Sequence, residues 1–140
     1  MSTQASEALA HRFHMEILVE KKYELIEDLL TADFVAHIPV IPLEATRGHE
    51  NIKNIAVAYN AGVADWEIDH VDTISAGDKA AIRFNAAGKH VGELFGVPST
   101  GKRLEFTGID IFRIENGKIA EMWQEVDFLG VMKQMGAIPG

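Results

Sequence analysis

The chain of 140 residues contains no cysteine. Disulfide bonds, thiolate nucleophiles and cysteine-ligated zinc or iron–sulfur clusters are therefore excluded, and the absence suits a reducing compartment. Basic residues are also few, because 13 Lys and Arg stand against 21 Asp and Glu, which gives a net charge of −8 at pH 7. A nucleic-acid backbone would be repelled by such a chain.

Long apolar runs are missing as well. No stretch approaches the ~20 apolar residues that a membrane-spanning helix needs. Residues 1–8 contain no basic segment followed by an apolar one, which a signal peptide would have. We therefore expect a cytoplasmic protein that binds neither nucleic acid nor membrane.

Several sequence motifs of enzyme sites do not occur. There is no HExxH or other compact His, Asp and Glu set with the spacing of a metal site. The nucleophile elbow GxSxG and the phosphate-binding motifs GxGxxG and GxxxxGK[ST] are also missing. We predict no metal and no cofactor, although ligands distant in sequence could still converge.

The spacing of the apolar residues changes halfway along the chain, from helical in the first half to a period of two in the second. The predicted helices are residues 3–20, 22–30 and 49–61, and residues 34–40 are extended. The predicted strands are residues 66–75, 79–90, 104–114 and 118–126. Helices followed by antiparallel strands indicate one α+β domain, residues 1–140, in which the helices cover one face of a curved sheet and enclose an apolar pocket.

The last hairpin, residues 104–127, allows two registers around Asn116-Gly117. A two-residue loop would mix charged and apolar side chains on both faces of the hairpin. A three-residue loop, residues 115–117, sorts them: Arg113, Glu121 and Glu125 then lie outside. The inner face would contain Gly108, Asp110, Phe112, Ile114, Ala120, Met122, Gln124 and Val126. We favour the second register because burying unpaired carboxylates is costly.

Asp110 and Gln124 are then the polar residues on the inner wall. Burial disfavours the charged form of a carboxylate, so Asp110 is a candidate general base or neutral acid, with Gln124 beside it. The alternative is structural: Gln124 or a backbone amide satisfies the hydrogen bonds of Asp110.

The other site candidates are aromatic or apolar residues and histidines. His14 lies on the apolar stripe of the first helix, where a catalytic role and a core role are equally compatible with the pattern. Trp66 could stack on a planar ligand. The predicted substrate-binding residues are His37, His90, Phe112, Met122 and Trp66. We expect His11, His49 and His70 to be solvated, and we expect Trp123 to lie outside with Ile109 and Ile111, as a dimer contact.

Residues 88–101 resemble the GxHxGxxxGxPxTG stretch of the SnoaL-like polyketide cyclases, or ester cyclases. The similarity continues through the C-terminal half, at residues 108–114, 116–119, Glu121, Trp123, Asp127 and 134–136. It extends more weakly over the first half at residues 33–34, His37 and 47–48.

This resemblance implies a cone-shaped fold of the nuclear transport factor 2-like superfamily, in a homo-oligomer such as a dimer or tetramer. It also implies ring closure by intramolecular aldol condensation, without metal or cofactor, on a small hydrophobic carbonyl compound. The family's acid/base aspartate corresponds to Gln124 here, and its histidine corresponds to Asp110. Either the acid/base role has moved to Asp110, or the cyclase reaction has been lost.

Three functions therefore remain open. The first is a cofactor-independent lyase or isomerase, in which Asp110 removes a proton next to a carbonyl, while Gln124 with His14, His37 or His90 stabilises the oxyanion. The second is a non-catalytic binding module for a hydrophobic small molecule. The third is epoxide hydrolysis, which would need two carboxylates and an arginine in the pocket, whereas the pattern places one carboxylate there.

Overall fold

A computed structural model describes residues 3–139. The helices are α1 (Thr3–Arg12), α2 (Ile26–Leu29), α3 (Gly48–Gly62) and α4 (Phe128–Gln134). The strands are β1 (Leu30–His37), β2 (Val63–Ala76), β3 (Lys79–His90), β4 (Arg103–Glu115) and β5 (Lys118–Val126). Within this part of the chain, no helix is long and apolar enough to cross a membrane.

The five strands form one sheet in the order β1-β5-β4-β3-β2. Neighbours from β2 to β5 are antiparallel, whereas β1 runs parallel to β5. The helices cover one face of this sheet, and the apolar core lies between the two layers, around Phe34, Ile82 and Phe112. The predicted α+β class, with N-terminal helices on a curved sheet, is confirmed.

The first predicted helix changes its winding midway. α1 ends at Arg12, and Phe13–Val19 continues as a wider π-helical segment in which His14 and Ile17 are buried. Such wide turns are rare, and they occur frequently at functional sites. The second predicted helix is shorter than expected, because Leu30 already belongs to β1.

In the last hairpin, the loop is shorter than predicted, but the side chains lie on the predicted sides of the sheet. Glu115 pairs with Lys118, so the loop has two residues, Asn116 and Gly117, both with positive φ (51° and 77°), as a type I′ turn requires. The register then shifts, because Ile114 pairs with Ile119 but Arg113 pairs with Glu121. This bulge inserts one residue into β5 and so reverses the facing that the short loop alone would give.

The C-terminal helix α4 was not predicted. Its N-cap is Asp127, whose side chain accepts a hydrogen bond from the backbone N–H of Gly130 at 2.9 Å. α4 places Phe128 and Val131 against the cavity between the helices and the sheet.

Candidate active site

A cavity of roughly 110 Å³ lies between the helices and the inner face of the sheet. Its wall is mostly apolar, with residues such as Ile17, Ile52, Phe84 and Phe106. The polar side chains on the wall come from different elements: His14 from the π-helical segment, Tyr59 from α3, Trp66 from β2 and Gln124 from β5. An apolar cavity with a few convergent polar groups is the usual form of a small-molecule site.

Asp110 is completely buried behind this wall. It lies on β4 directly opposite Gln124 on β5, instead of one diagonal step away. Its Oδ2 accepts hydrogen bonds from His14 Nε2 at 2.6 Å and from Gln124 Nε2 at 3.3 Å. Its Oδ1 has no hydrogen-bond partner among residues 3–139. Gln124 therefore satisfies Asp110 only in part, and the short contact is with His14.

A second histidine extends this contact. His14 Nδ1 lies 2.9 Å from His70 Nε2, and the ring of His11 lies 4.3 Å from the ring of His70. Because a carboxylate only accepts, His14 Nε2 carries a hydrogen. In neutral His14, Nδ1 then accepts a hydrogen bond from the Nε2–H of His70. Asp110, His14 and His70 form a chain of hydrogen bonds from the buried carboxylate to the partly exposed side of β2.

The expectation that His70, His11 and His49 are solvated is wrong. All three are partly buried and hydrogen-bonded: His11 to Thr73 Oγ1 at 2.9 Å, and His49 to the carbonyl of Thr31 at 2.8 Å. The signal for His70 was present in β2, where Trp66 and Ile68 alternate with exposed acidic residues. The same alternation puts His70 on the inner face instead of in solvent.

Burial lowers the pKa of His70 to about 4, with smaller contributions from His14 and His11. The pKa of His70 in the unfolded chain is near 6.5. Below pH 6.5 the unfolded chain therefore binds a proton at His70, whereas the folded chain does not. The contribution of neutral His70 to stability is therefore complete above pH 6.5 and is lost as the pH falls toward 4.

In urea titrations, His70→Asn should show a shallower loss of stability than the parent between pH 6.5 and pH 4. Parallel profiles would contradict this assignment.

His37 is not at the cavity, which corrects the predicted binding role. β1 pairs in parallel with β5, and His37 lies beside Trp123 on the outer face. Its ring stacks on Trp123, with a centroid distance of 5.4 Å and an interplanar angle of 7°. Its Nε2 donates to Glu121 Oε2 at 2.6 Å. Burial alone would raise the pKa of Glu121, but hydrogen bonds from His37 and Arg113 lower it overall.

His90 is fully buried but does not line the cavity. Its Nδ1 lies 2.9 Å from Thr100 Oγ1 and also accepts from the Thr100 backbone N–H. The glycines near it make room for neighbouring chain and not for a ligand: a Cβ would lie 2.3 Å from Val63 Cγ1 at Gly88, and 2.3 Å from the Ala61 carbonyl at Gly92. His90 therefore holds the loop that follows β3.

The remaining predicted residues divide between wall and core. Met122 and Trp66 line the cavity, and Trp66 Nε1 donates to Asn60 Oδ1 at 3.0 Å. Phe112 is fully buried in the core and does not reach the cavity. Trp123, Ile109 and Ile111 lie on the outer face, where both isoleucines are more than a third exposed. Tyr59 also lines the cavity; it lies within the predicted helix 49–61 but was not among the predicted site residues.

No group of three His, Asp or Glu residues that could hold a metal ion occurs in the part of the chain that the structure describes. The polar groups at the cavity instead form one chain of hydrogen bonds, through Asp110, His14 and His70, together with separate hydrogen-bond donors. Asp110 does not itself line the cavity, but it contacts two residues of the wall, His14 and Gln124. The wall residues can donate hydrogen bonds to the oxygen atoms of a ligand, next to a buried carboxylate.

Comparisons with known proteins show what this chain is similar to. The family model for the SnoaL-like polyketide cyclase matches residues 8–135. The structure of TsrD from Streptomyces laurentii has a TM-score of 0.86 and 28% identity, and the alignment covers 99% of both chains. Aklanonic acid methyl ester cyclase DnrD of Streptomyces peucetius is 43% identical over 49 residues. That match covers 35% of this chain and 34% of the relative.

Proposed function

Because the chain belongs to the SnoaL-like polyketide cyclase family, within the nuclear transport factor 2-like superfamily, we propose that it transfers a proton next to a carbonyl group of a hydrophobic polyketide. The observation that carries the proposal is the buried Asp110 carboxylate, with Oδ2 bonded to His14 and Oδ1 without a partner among the described residues. No cofactor takes part in the proposed reaction.

In the proposed reaction, Asp110 Oδ1 removes a proton from the carbon next to a carbonyl. The C–H electron pair becomes a C=C bond, and the π pair of the carbonyl group moves to its oxygen, which forms an enolate. The enolate carbon then bonds to a second carbonyl carbon of the same molecule, and the oxygen of that carbonyl takes the proton from Asp110. One carboxylate thus acts first as a base and then as an acid.

The neighbours of Asp110 support this role. His14 Nε2–H fixes Oδ2 at 2.6 Å, which leaves Oδ1 to exchange the proton. By its similarity to the SnoaL-like cyclases, Gln124 occupies the position of their acid/base aspartate. An amide cannot transfer protons as a carboxylate does. In our proposal the acid/base role has moved across the hairpin to Asp110, and Gln124 acts as a hydrogen-bond donor.

The test uses the compound named for the relative, aklanonic acid methyl ester. The protein is incubated with it in D₂O, while mass spectrometry records deuterium incorporation and chromatography records ring closure. We expect deuterium exchange at the carbon next to the carbonyl to exceed the rate without protein. Binding with neither exchange nor ring closure would contradict the proposal and would favour a non-catalytic binding module.

A further inference from the structure

Tyr59 is the polar group of the cavity whose hydrogen bonding is unexplained. Its side chain lines the cavity from α3, on the side opposite the sheet. Its hydroxyl is buried and has no hydrogen-bond partner among residues 3–139. Buried polar groups are nearly always paired, so an unpaired one calls for an explanation.

Three neighbouring polar side chains, those of Tyr23, Asn60 and Trp66, are hydrogen-bonded to one another. Asn60 donates to Tyr23 Oη at 2.8 Å and to the Leu18 carbonyl at 3.0 Å, and it accepts from Trp66 Nε1. Within residues 3–139, the hydroxyl of Tyr23 therefore has a protein partner and that of Tyr59 has none. Phenylalanine in place of Tyr59 would leave no buried hydroxyl unpaired.

The environment of Tyr59 also determines what its hydroxyl can do. Burial raises the pKa of Tyr59 to about 12, and the negative charge of Asp110 contributes to the increase. The hydroxyl therefore keeps its proton at physiological pH and is available as a donor.

We propose that the Tyr59 hydroxyl donates a hydrogen bond to the carbonyl oxygen of the substrate, and to the enolate oxygen that develops when Asp110 removes the neighbouring proton. This inference rests on the proposed function and adds the group on α3 that binds the reacting oxygen. A preorganised donor in a water-poor cavity stabilises such a developing charge.

The charge of Asp110 and the apolar wall also determine which class of ligand the cavity binds. The buried Asp110 carboxylate opposes a second anion in the cavity, and the apolar wall cannot solvate one. A neutral ketone or ester offers an acceptor oxygen to Tyr59 without adding charge. The cavity therefore selects ketones and esters over the corresponding free carboxylic acids.

The test uses neutral probes and needs no turnover. 1-Acetonaphthone has one carbonyl group and no other polar group, so its infrared carbonyl band reports hydrogen bonding directly. In the parent protein we expect the band of the bound ketone to lie below its position in a hydrocarbon solvent. In Tyr59→Phe the band should return to that position, and affinity should fall about 3- to 10-fold, the value of one hydrogen bond.

Tyr23→Phe is the matched control, because it removes a hydroxyl that is already paired within the protein. We expect this variant to keep the shifted carbonyl band but to melt at a lower temperature, whereas Tyr59→Phe should melt no lower than the parent. Methyl 1-naphthoate should also bind at least 10-fold more tightly than 1-naphthoate at pH 7.

Three results would overturn the inference: an unshifted band in the parent, an unchanged band in Tyr59→Phe, or failure of the parent to bind either neutral probe. The experiment also distinguishes a failure of this inference from a failure of the proposed function. A shifted band that depends on Tyr59, in a protein that exchanges no protons, would refute proton transfer while retaining Tyr59 as the carbonyl-binding residue.

Discussion

Asp110→Asn is expected to lower the rate of deuterium exchange by about 10²- to 10⁴-fold, the usual contribution of a positioned acid/base group. Asparagine keeps the shape of the side chain and still accepts a hydrogen bond from His14 Nε2, but its amide cannot take up the substrate proton. Affinity for the neutral ketone should change little, because Tyr59 and the apolar wall remain. The measurement is exchange in D₂O at saturating ligand, followed by mass spectrometry.

Glu121→Gln is the matched control for this substitution. Glu121 also accepts a hydrogen bond from a histidine at 2.6 Å and lies on the same hairpin, but on the outer face. Its neutralisation should leave the exchange rate within about twofold of the parent, because its carboxylate cannot reach the cavity. Equal rates for the parent and Asp110→Asn would exclude Asp110 as the base, and an equal loss in Glu121→Gln would indicate a general effect of charge.

His14→Phe is expected to have the largest effect on stability. It removes the 2.6 Å partner of Asp110 and leaves a fully buried carboxylate with the 3.3 Å contact to Gln124. Breaking one side of a buried pair costs about 3–5 kcal/mol, which corresponds to a fall in Tm of roughly 10 °C or more for a chain of this size. Differential scanning calorimetry at pH 7 measures the change.

The double variant His14→Phe with Asp110→Asn distinguishes this cause from a simple loss of packing. With the charge removed, the two substitutions together should destabilise less than His14→Phe alone, because non-additivity reports the contact between them. His37→Phe is the surface control, since the His37–Glu121 pair is partly exposed and should contribute about 1 kcal/mol or less. A double variant less stable than His14→Phe would refute the charge argument.

The inner wall of the hairpin was predictable because a strand alternates its side chains regardless of what the rest of the chain does. Asp110, Met122 and Gln124 are on the inner side, as the sorting of charges indicated. The loop used to justify that sorting was wrong, since a two-residue turn is followed by a bulge. An extra residue has the same effect on facing whether it lies in the loop or in the strand, so this error did not change the predicted faces.

For the histidines, the local spacing of residues in the sequence did not predict their contacts in the structure. His14 was placed inward by helical spacing, but its partner Asp110 is 96 residues away in the chain. His37 was predicted at the cavity because apolar residues flank it in the sequence. The parallel pairing of β1 with β5, which joins segments distant in sequence, turns it outward instead. His70 was expected to be solvated, since its neighbours are acidic, but the period of its strand places it on the inner face.

The amino-acid sequence by itself determined the fold class, the inner wall of the last hairpin and the family, since these follow from periodicity and contiguous motifs. Only the tertiary structure decided which polar groups meet. It joined Asp110 to His14 and His70, left the Tyr59 hydroxyl at the cavity without a hydrogen-bond partner among residues 3–139, and removed His37 and His90 from the site. The physical reason is that hydrogen bonds between distant elements depend on how helices and strands pack, and no local spacing encodes that packing.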